Sequence, residues 1–282
     1  MQRNVVFFIL NKKTMKKVVL FKGGLGNQIF QYGMYTWQKY VNRQDVCYYY
    51  FDYDHNGFEL DKYFDVNLEK ASFFYSWLFW LIWRLNKYKI CKKFMYFEGG
   101  RAQNNSDLFV WGYWVDKKYF LHKGFDLAYK QLPLSVRNCR IVELMRDGES
   151  VAIHVRRGDY LLPQNRKRFT MLGAEYYSQA IALCRKKLGT SIRVFFFSDD
   201  IAWVKENFQV ENAEYIDWNT GNSSIYDMYL MSQASANIIA NSTFSFWAAF
   251  LNKRKKLVVY PKDWFANGWL PSDIFPSDWL AL

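Results

Sequence analysis

His154, Arg156, Arg157 and Asp159 stand close together, the histidine inside the mostly apolar run at 151–155 and the others directly after it. That run reads as a buried strand, and two arginines cannot continue a buried strand unless something pairs them. Asp159 offers one carboxylate against two guanidiniums. A planar fork of donors with permanent charge, set at the carboxyl end of a strand, suits a diphosphate. Ligands of open α/β sheets bind at that edge. The competing interpretation is a surface ion pair closing a strand, which contributes little.

Further residues carry possible chemistry. Asn241-Ser242-Thr243-Phe244-Ser245 follows a strand pattern and opens a helix, so Ser242 or Thr243 is the expected N-cap. Free backbone N–H groups and the helix dipole there favour an anion, and the hydroxyls of Ser242, Thr243 and Ser245 add donors. An N-cap without a ligand is the plain alternative. Asp227 lies among Ile225, Tyr226, Met228, Tyr229 and Leu230. A carboxylate so placed is costly unless donors meet it. Guanine presents N1–H and N2–H₂ side by side and matches its two oxygens, as a nearby helix N-terminus also would. Ser198-Asp199-Asp200 ends another strand pattern, where it holds a ribose or supports Arg157. Asp52-Tyr53-Asp54 has the form of a metal-binding Asp-x-Asp, against a solvated strand end. Gly24-x-Gly26 is half of a dinucleotide fingerprint, with Ile29 where the third glycine belongs.

The elements that must position these groups read as α/β. Residues 18–21 form a strand ending in glycines, and a helix follows with Phe30, Met34, Trp37 and Val41 on one face. Residues 46–51 are a second strand. Residues 138–150 read as a polar connector, and a domain boundary is placed at 145/146. Beyond it, strands at 151–155, 192–197, 237–240 and 257–260 alternate with helices at 174–188, 223–234 and 243–251. Alternation of this kind implies a parallel sheet covered on both faces. The expected domains are a non-structural extension at 1–14, a first Rossmann-like half at 15–145 and a second at 146–282.

Three motifs in order resemble a known family. His154-x-Arg156-Arg157-x-Asp159 resembles the first signature of α-1,2-, α-1,6- and protein O-fucosyltransferases. Residues 23–32 (GGLGNQIFQY) and 227–250 (DMYLMSQASANIIANSTFSFWAAF) resemble the amino- and carboxy-terminal motifs of bacterial α-1,2-fucosyltransferases, glycosyltransferase family 11. The resemblance implies a GT-B arrangement, two Rossmann-like halves with a cleft between them, and a donor held mainly by the second half. It implies inverting transfer of L-fucose from GDP-β-L-fucose to the 2-hydroxyl of a terminal β-galactoside. No cofactor and no metal are implied, because arginine replaces the metal; Asp52 and Asp54 then lie in the wrong half. Arg156 is expected on the β-phosphate and Arg157 on the loop through Asp159. Asp227 falls at the guanine-reading position, His154 contacts base or ribose, and Asn27 faces the fucose and phosphates while Gln28 anchors its loop. In the α-1,6 relatives a glutamate lies five residues after the motif aspartate; Gln164 stands there, so that general base does not transfer. Asp159, His55 and Asp263 are the remaining candidates.

Bulk properties narrow the partners. The chain has 282 residues, 51% hydrophobic and 21% aromatic, which excludes disorder. Its net charge of +12 favours anionic partners. No zinc-finger or aromatic RNA-binding signature occurs, so nucleic acid is not expected. The four cysteines follow no metal spacing; Cys47 and Cys184 lie in apolar patterns, as buried thiols in a reducing compartment do. Residues 73–85 are dense in aromatics and run into Arg84, Lys87, Lys89, Lys92 and Lys93. That helical insertion is too short to span a bilayer. It is either an interfacial helix on an anionic membrane or a helical hairpin packed on the first half. A cytoplasmic enzyme, free or peripheral on the inner face of the membrane, is expected, acting on a galactose-terminated oligosaccharide or lipid-linked acceptor. The nearest rival is a fucosyltransferase of another linkage, and the rival class is an NAD-dependent oxidoreductase built on Gly24-x-Gly26.

Overall fold

The computed structural model describes residues 15–51, 56–86, 95–98, 107–269 and 274–282. The 1–14 extension, Asp52, Asp54, His55 and the lysines at 87, 89, 92 and 93 lie outside the described residues. Chain contacts divide the molecule into Met1–Lys130 and Gln131–Leu282.

In the first unit, β1 (Lys17–Phe21) is buried along its whole length. It pairs in parallel with β2 (Val46–Tyr50) and β4 (Phe109–Trp111), and β4 pairs with β3 (Met95–Phe97). The sheet order is β2-β1-β4-β3. Gly23, at φ 83°, turns the chain from β1 into α1 (Leu25–Thr36), a conformation that costs a glycine nothing. Phe30 and Met34 of α1 are fully buried, as their spacing predicts. Val41 departs from that stripe. Residues Trp37–Val41 form a π-helical turn, whose wider winding rotates the later side chains. Gln38 is buried in consequence and Val41 is exposed. Helix α2 (Phe73–Asn86) packs Leu78, Phe79 and Ile82 onto Val18, Leu20 and Phe109.

The second unit is a six-stranded parallel sheet, β10-β9-β8-β5-β6-β7. These strands are β5 (Ser150–Val155), β6 (Arg193–Ser198), β7 (Ala213–Ile216), β8 (Ala236–Ile238), β9 (Leu257–Tyr260) and β10 (Leu280–Ala281). Strand β5 is buried throughout, between β6 and β8, with Ile153 paired to both Phe196 and Ile238. The helices are α3 (Val136–Arg146), α4 (Ala174–Leu188), α5 (Ile201–Asn207), α6 (Ser224–Met231) and α7 (Thr243–Leu251). In α4, Tyr177, Ile181 and Cys184 are buried.

The α/β expectation with two parallel, Rossmann-like sheets holds. The connector expected at 138–150 does not: most of it is α3, whose Ser135 cap accepts from the Asn138 amide at 3.2 Å. The stripe Ile141, Val142 and Met145 is buried, but interleaved arginines and glutamate hid it. The unit boundary therefore falls at 130/131 rather than 145/146. Strands β3, β4, β7 and β10 were not anticipated; each has four residues or fewer, too few for alternation to register.

Candidate active site

Three neighbouring strands of the second sheet deliver the motif residues to one edge. Strand β5 ends at Val155 and hands the chain to Arg156 and Arg157; β6 ends at Ser198 and hands it to Asp199 and Asp200. Because β5 and β6 are paired in register, Val155 opposite Ser198, the two arginines meet the two aspartates. Arg156 Nη1 donates to Asp199 Oδ2 at 2.5 Å and Nη2 to Asp159 Oδ1 at 2.5 Å. Arg157 Nε donates to Asp200 Oδ2 at 3.0 Å, and its guanidinium lies 3.9 Å from the Trp203 ring centroid. Asp199 Oδ1 also accepts the backbone N–H of Arg157 and Gly158, at 2.9 and 3.0 Å. A Cβ on Gly158 would sit 2.6 Å from Asp199 Oδ2, so glycine is required for that approach.

This arrangement corrects two expectations. Three carboxylates, not one, meet the two guanidiniums, so charge imbalance is not what marks the site. Arg157 pairs with Asp200 rather than Asp159, because Asp200 caps α5, accepting from the Trp203 amide at 3.2 Å, and thereby faces Arg157. The two arginines also differ in reach. The Arg156 side chain keeps 33% of its surface exposed and the Arg157 side chain 16%. A guanidinium has five N–H donors, and the two carboxylates take two of those of Arg156.

On the other side of β5, strand β8 leads through Asn241 to α7. Ser242 is its N-cap, with Oγ accepting from the Phe244 amide at 3.3 Å. Thr243 follows, half-buried at the first turn. Ser245 does not join the donors. Its side chain is fully buried, and its hydroxyl donates back to the carbonyls of Ala240 and Ser242. Tyr160, whose hydroxyl donates to the Asn241 carbonyl at 2.9 Å, ties the arginine loop to this turn. Two buried polar atoms here, His154 Nδ1 and Asn241 Oδ1, lack a hydrogen-bond partner among the described residues. Orphans of this kind are uncommon and point to a ligand or water. Burial, then Asp199 raising and Arg156 lowering it, leaves the His154 pKa down at about 4; the ring is neutral at physiological pH and packs 5.8 Å from the Phe244 ring. Beside this edge is an open cavity of about 570 Å³ lined by Arg157, Leu161, Arg166, Phe169, Thr170, Met171 and Ala266.

Asp227 belongs to a second network, with no direct bond to the arginines. Asn219 Nδ2 donates to its Oδ1 at 2.7 Å. Asn219 and Asn138 exchange side-chain bonds at 3.0 and 3.1 Å, and Trp218 Nε1 donates to Asn138 Oδ1 at 2.8 Å. Burial pushes the Asp227 carboxyl up to about 7, against the lowering pull of Asn219; Asp217 adds to the rise. Sequence reasoning missed Asn138 and Asn219. The only signal was the buried carboxylate, which demanded a donor from somewhere.

In the first unit, Gln28 is fully buried and acts as a staple. Its amide donates to the Gly23 and Gly57 carbonyls, each at 2.9 Å, and its oxygen accepts the Glu59 and Leu60 amides at 2.9 and 3.2 Å. Asn27 is half-buried one position earlier. Of the described general-base candidates, Asp159 is engaged by Arg156 and Asp263 is exposed.

The model of Glycosyl transferase family 11 matches residues 10–282. An alpha-1,2-colitosyltransferase of Escherichia coli is 30% identical over 282 residues, covering 92% of this chain and 96% of the relative. Galactoside alpha-(1,2)-fucosyltransferase 2 of Bos taurus is 27% identical over 144 residues, 49% of this chain and 42% of its own. Among solved structures, a glycosyl transferase family 9 protein of Veillonella parvula DSM 2008 superposes with a TM-score of 0.52 at 10% identity, covering 95% of this chain and 86% of its own; it supports the fold alone. The three ordered motifs, the two parallel sheets of a GT-B enzyme and a match spanning nearly the whole chain lead to one conclusion: the chain belongs to glycosyl transferase family 11, as a glycosyltransferase of the α-1,2-fucosyltransferase family.

Proposed function

We propose that this enzyme transfers L-fucose from GDP-β-L-fucose, with inversion, to the 2-hydroxyl of a terminal β-galactoside in the synthesis of a surface polysaccharide or oligosaccharide. The observation that carries the proposal is the partly exposed Arg156 fork, fixed by Asp159 and Asp199 at the carboxyl edge of the central strand. Departure of GDP places negative charge on the β-phosphate, and donors fixed in advance stabilise that charge without reorganising. Asp159 and Asp199 hold the fork in place, and the remaining N–H groups of Arg156 serve the phosphate. The amino terminus of α7, with Ser242 and Thr243, adds backbone donors and a favourable dipole. Asp227 reads guanine, and neutral His154 contacts the base or ribose through its unpartnered nitrogen. Family membership argues against the oxidoreductase alternative.

The relative 30% identical along nearly its full length transfers colitose, so a GDP-colitose donor is the second reading. Colitose is fucose lacking the 3-hydroxyl. A site that hydrogen-bonds this hydroxyl discriminates strongly against its loss, by roughly 10⁴-fold, whereas an apolar site discriminates little. Comparing kcat/KM for the two donors decides between them: fucose is expected to lead, and a preference for colitose would replace it as the donor.

Arginine and a helix terminus supply the counter-charge in this scheme. Turnover should therefore persist in excess EDTA. Loss of activity on chelation, restored by Mn²⁺ or Mg²⁺, would return Asp52 and Asp54 to the centre of the site.

A further inference from the structure

Helix α2 leaves a stripe uncovered that the transfer reaction does not use. Leu78, Phe79 and Ile82 are buried on one side. Phe73, Trp77, Trp80 and Leu81 follow one another at helical spacing on the opposite side, exposed at 86%, 47%, 54% and 36%. Arg84 continues that stripe, its guanidinium 4.4 Å from the Trp80 ring centroid. Trp83 is different: it is exposed in part but stacks on Trp111 at 4.9 Å and so belongs to the fold. Between Glu69 and Glu98 the sequence has no acidic residue, while Lys70, Arg84, Lys87, Lys89, Lys92 and Lys93 are all basic.

Indole rings beside cations match the headgroup region of a bilayer, where an amphipathic ring has its apolar body in the acyl boundary and its polar edge in water. The absence of any carboxylate along this stretch selects an anionic leaflet. A second copy of the chain fits poorly, because each copy would present the same cations, on a molecule of net charge +12, to its twin. No helix among the described residues is long and apolar enough to cross a membrane.

We propose that α2 is a membrane-docking element, with Phe73, Trp77, Trp80 and Leu81 entering the headgroup region of an anionic leaflet. Arg84, beside the Trp80 ring, adds charge attraction to the anionic headgroups. The proposal stands apart from the donor and linkage, since docking acts on where the enzyme works and not on the chemistry of transfer. It suits an acceptor assembled on a lipid carrier.

The test is co-sedimentation of the full chain with vesicles of phosphatidylcholine alone or of an equimolar mixture with phosphatidylglycerol, at low and high salt. Binding is expected to the anionic vesicles and to weaken as salt rises. The paired substitution Trp77→Ser and Trp80→Ser should lower partitioning by roughly ten-fold or more, with the parental Tm and parental turnover on a soluble galactoside. Arg84→Gln should lower it by roughly five-fold without removing a ring. In the unsubstituted protein, lipids spin-labelled near the headgroup should quench tryptophan fluorescence, a readout that survives even if the paired variant fails to fold. Equal binding to neutral vesicles, no quenching, or undiminished binding of a folded paired variant would overturn the proposal. So would light scattering that shows a dimer split by the same two substitutions, which assigns the face to a second copy.

Discussion

Arg156→Ala should lower turnover by roughly 10²–10³-fold or more, the range seen when one fixed donor to a developing oxyanion is removed. The geometry makes the effect larger than the loss of one donor. Deleting the guanidinium removes the partner of Asp159 Oδ1 and of Asp199 Oδ2, each now 2.5 Å from Arg156, and leaves both carboxylates facing the diphosphate. Repulsion then adds to the missing attraction. Arg156→Lys should recover little, because a point charge cannot bond both carboxylates and a phosphate in one plane. Converting Asp159→Asn in the Arg156→Ala background should restore part of the GDP affinity by removing one of the repelling charges. Steady-state kinetics and calorimetric GDP titration check these outcomes. Near-normal kcat in Arg156→Lys would exclude the bidentate role, and Asp159→Asn without rescue would show that the carboxylates do not face the nucleotide.

The second large effect concerns Asp227. Burial pushes its carboxyl up to about 7, and guanine's paired donors require the ionised form. Binding must therefore expel a proton whenever the pH lies below about 7. GDP affinity should accordingly hold steady above that pH and fall by close to about ten-fold per pH unit below it. Asp227→Asn offers guanine an amide donor where an acceptor belongs. It should cost about 1–3 kcal/mol of GDP binding and abolish the pH dependence, while weak ADP or UDP binding is unchanged. Asn219→Ala removes the 2.7 Å bond that favours the ionised form; it should move the break in the profile to higher pH. A flat GDP profile in the parent protein, or an equal loss for all three nucleotides in Asp227→Asn, would exclude guanine reading here.

Much of this site was legible because its residues are locally improbable. Arg156 and Arg157 interrupt a buried strand, Asp227 interrupts an apolar helix, and Gly23 and Gly24 punctuate a strand end; each violates a local pattern and so announces itself. Partners were harder to read. Which aspartate meets which arginine depends on β6 lying beside β5 and on Asp200 capping α5, and both are facts of sheet order. Asn138 was hidden for the same reason: the helix that carries it buries only a narrow stripe among charged residues, and its bonding partner Asn219 comes from a loop 81 residues away. The π-turn at Trp37–Val41 left no trace in the periodicity that it breaks. For α2 the packed reading of the sequence holds for one face alone: Leu78 and Phe79 pack as core, and Trp77 and Trp80 stay exposed.

The account rests on fucosyl transfer with inversion to a galactose 2-hydroxyl, and product analysis tests that most directly. The purified chain is incubated with GDP-β-L-fucose and a small panel of β-galactosides, and the product is examined by NMR. The account predicts one GDP released for each fucose transferred and a new α-linkage at the galactose 2-position. A β-linked product, attachment at another hydroxyl, or no transfer from GDP-fucose alongside turnover of a different nucleotide-sugar would contradict it.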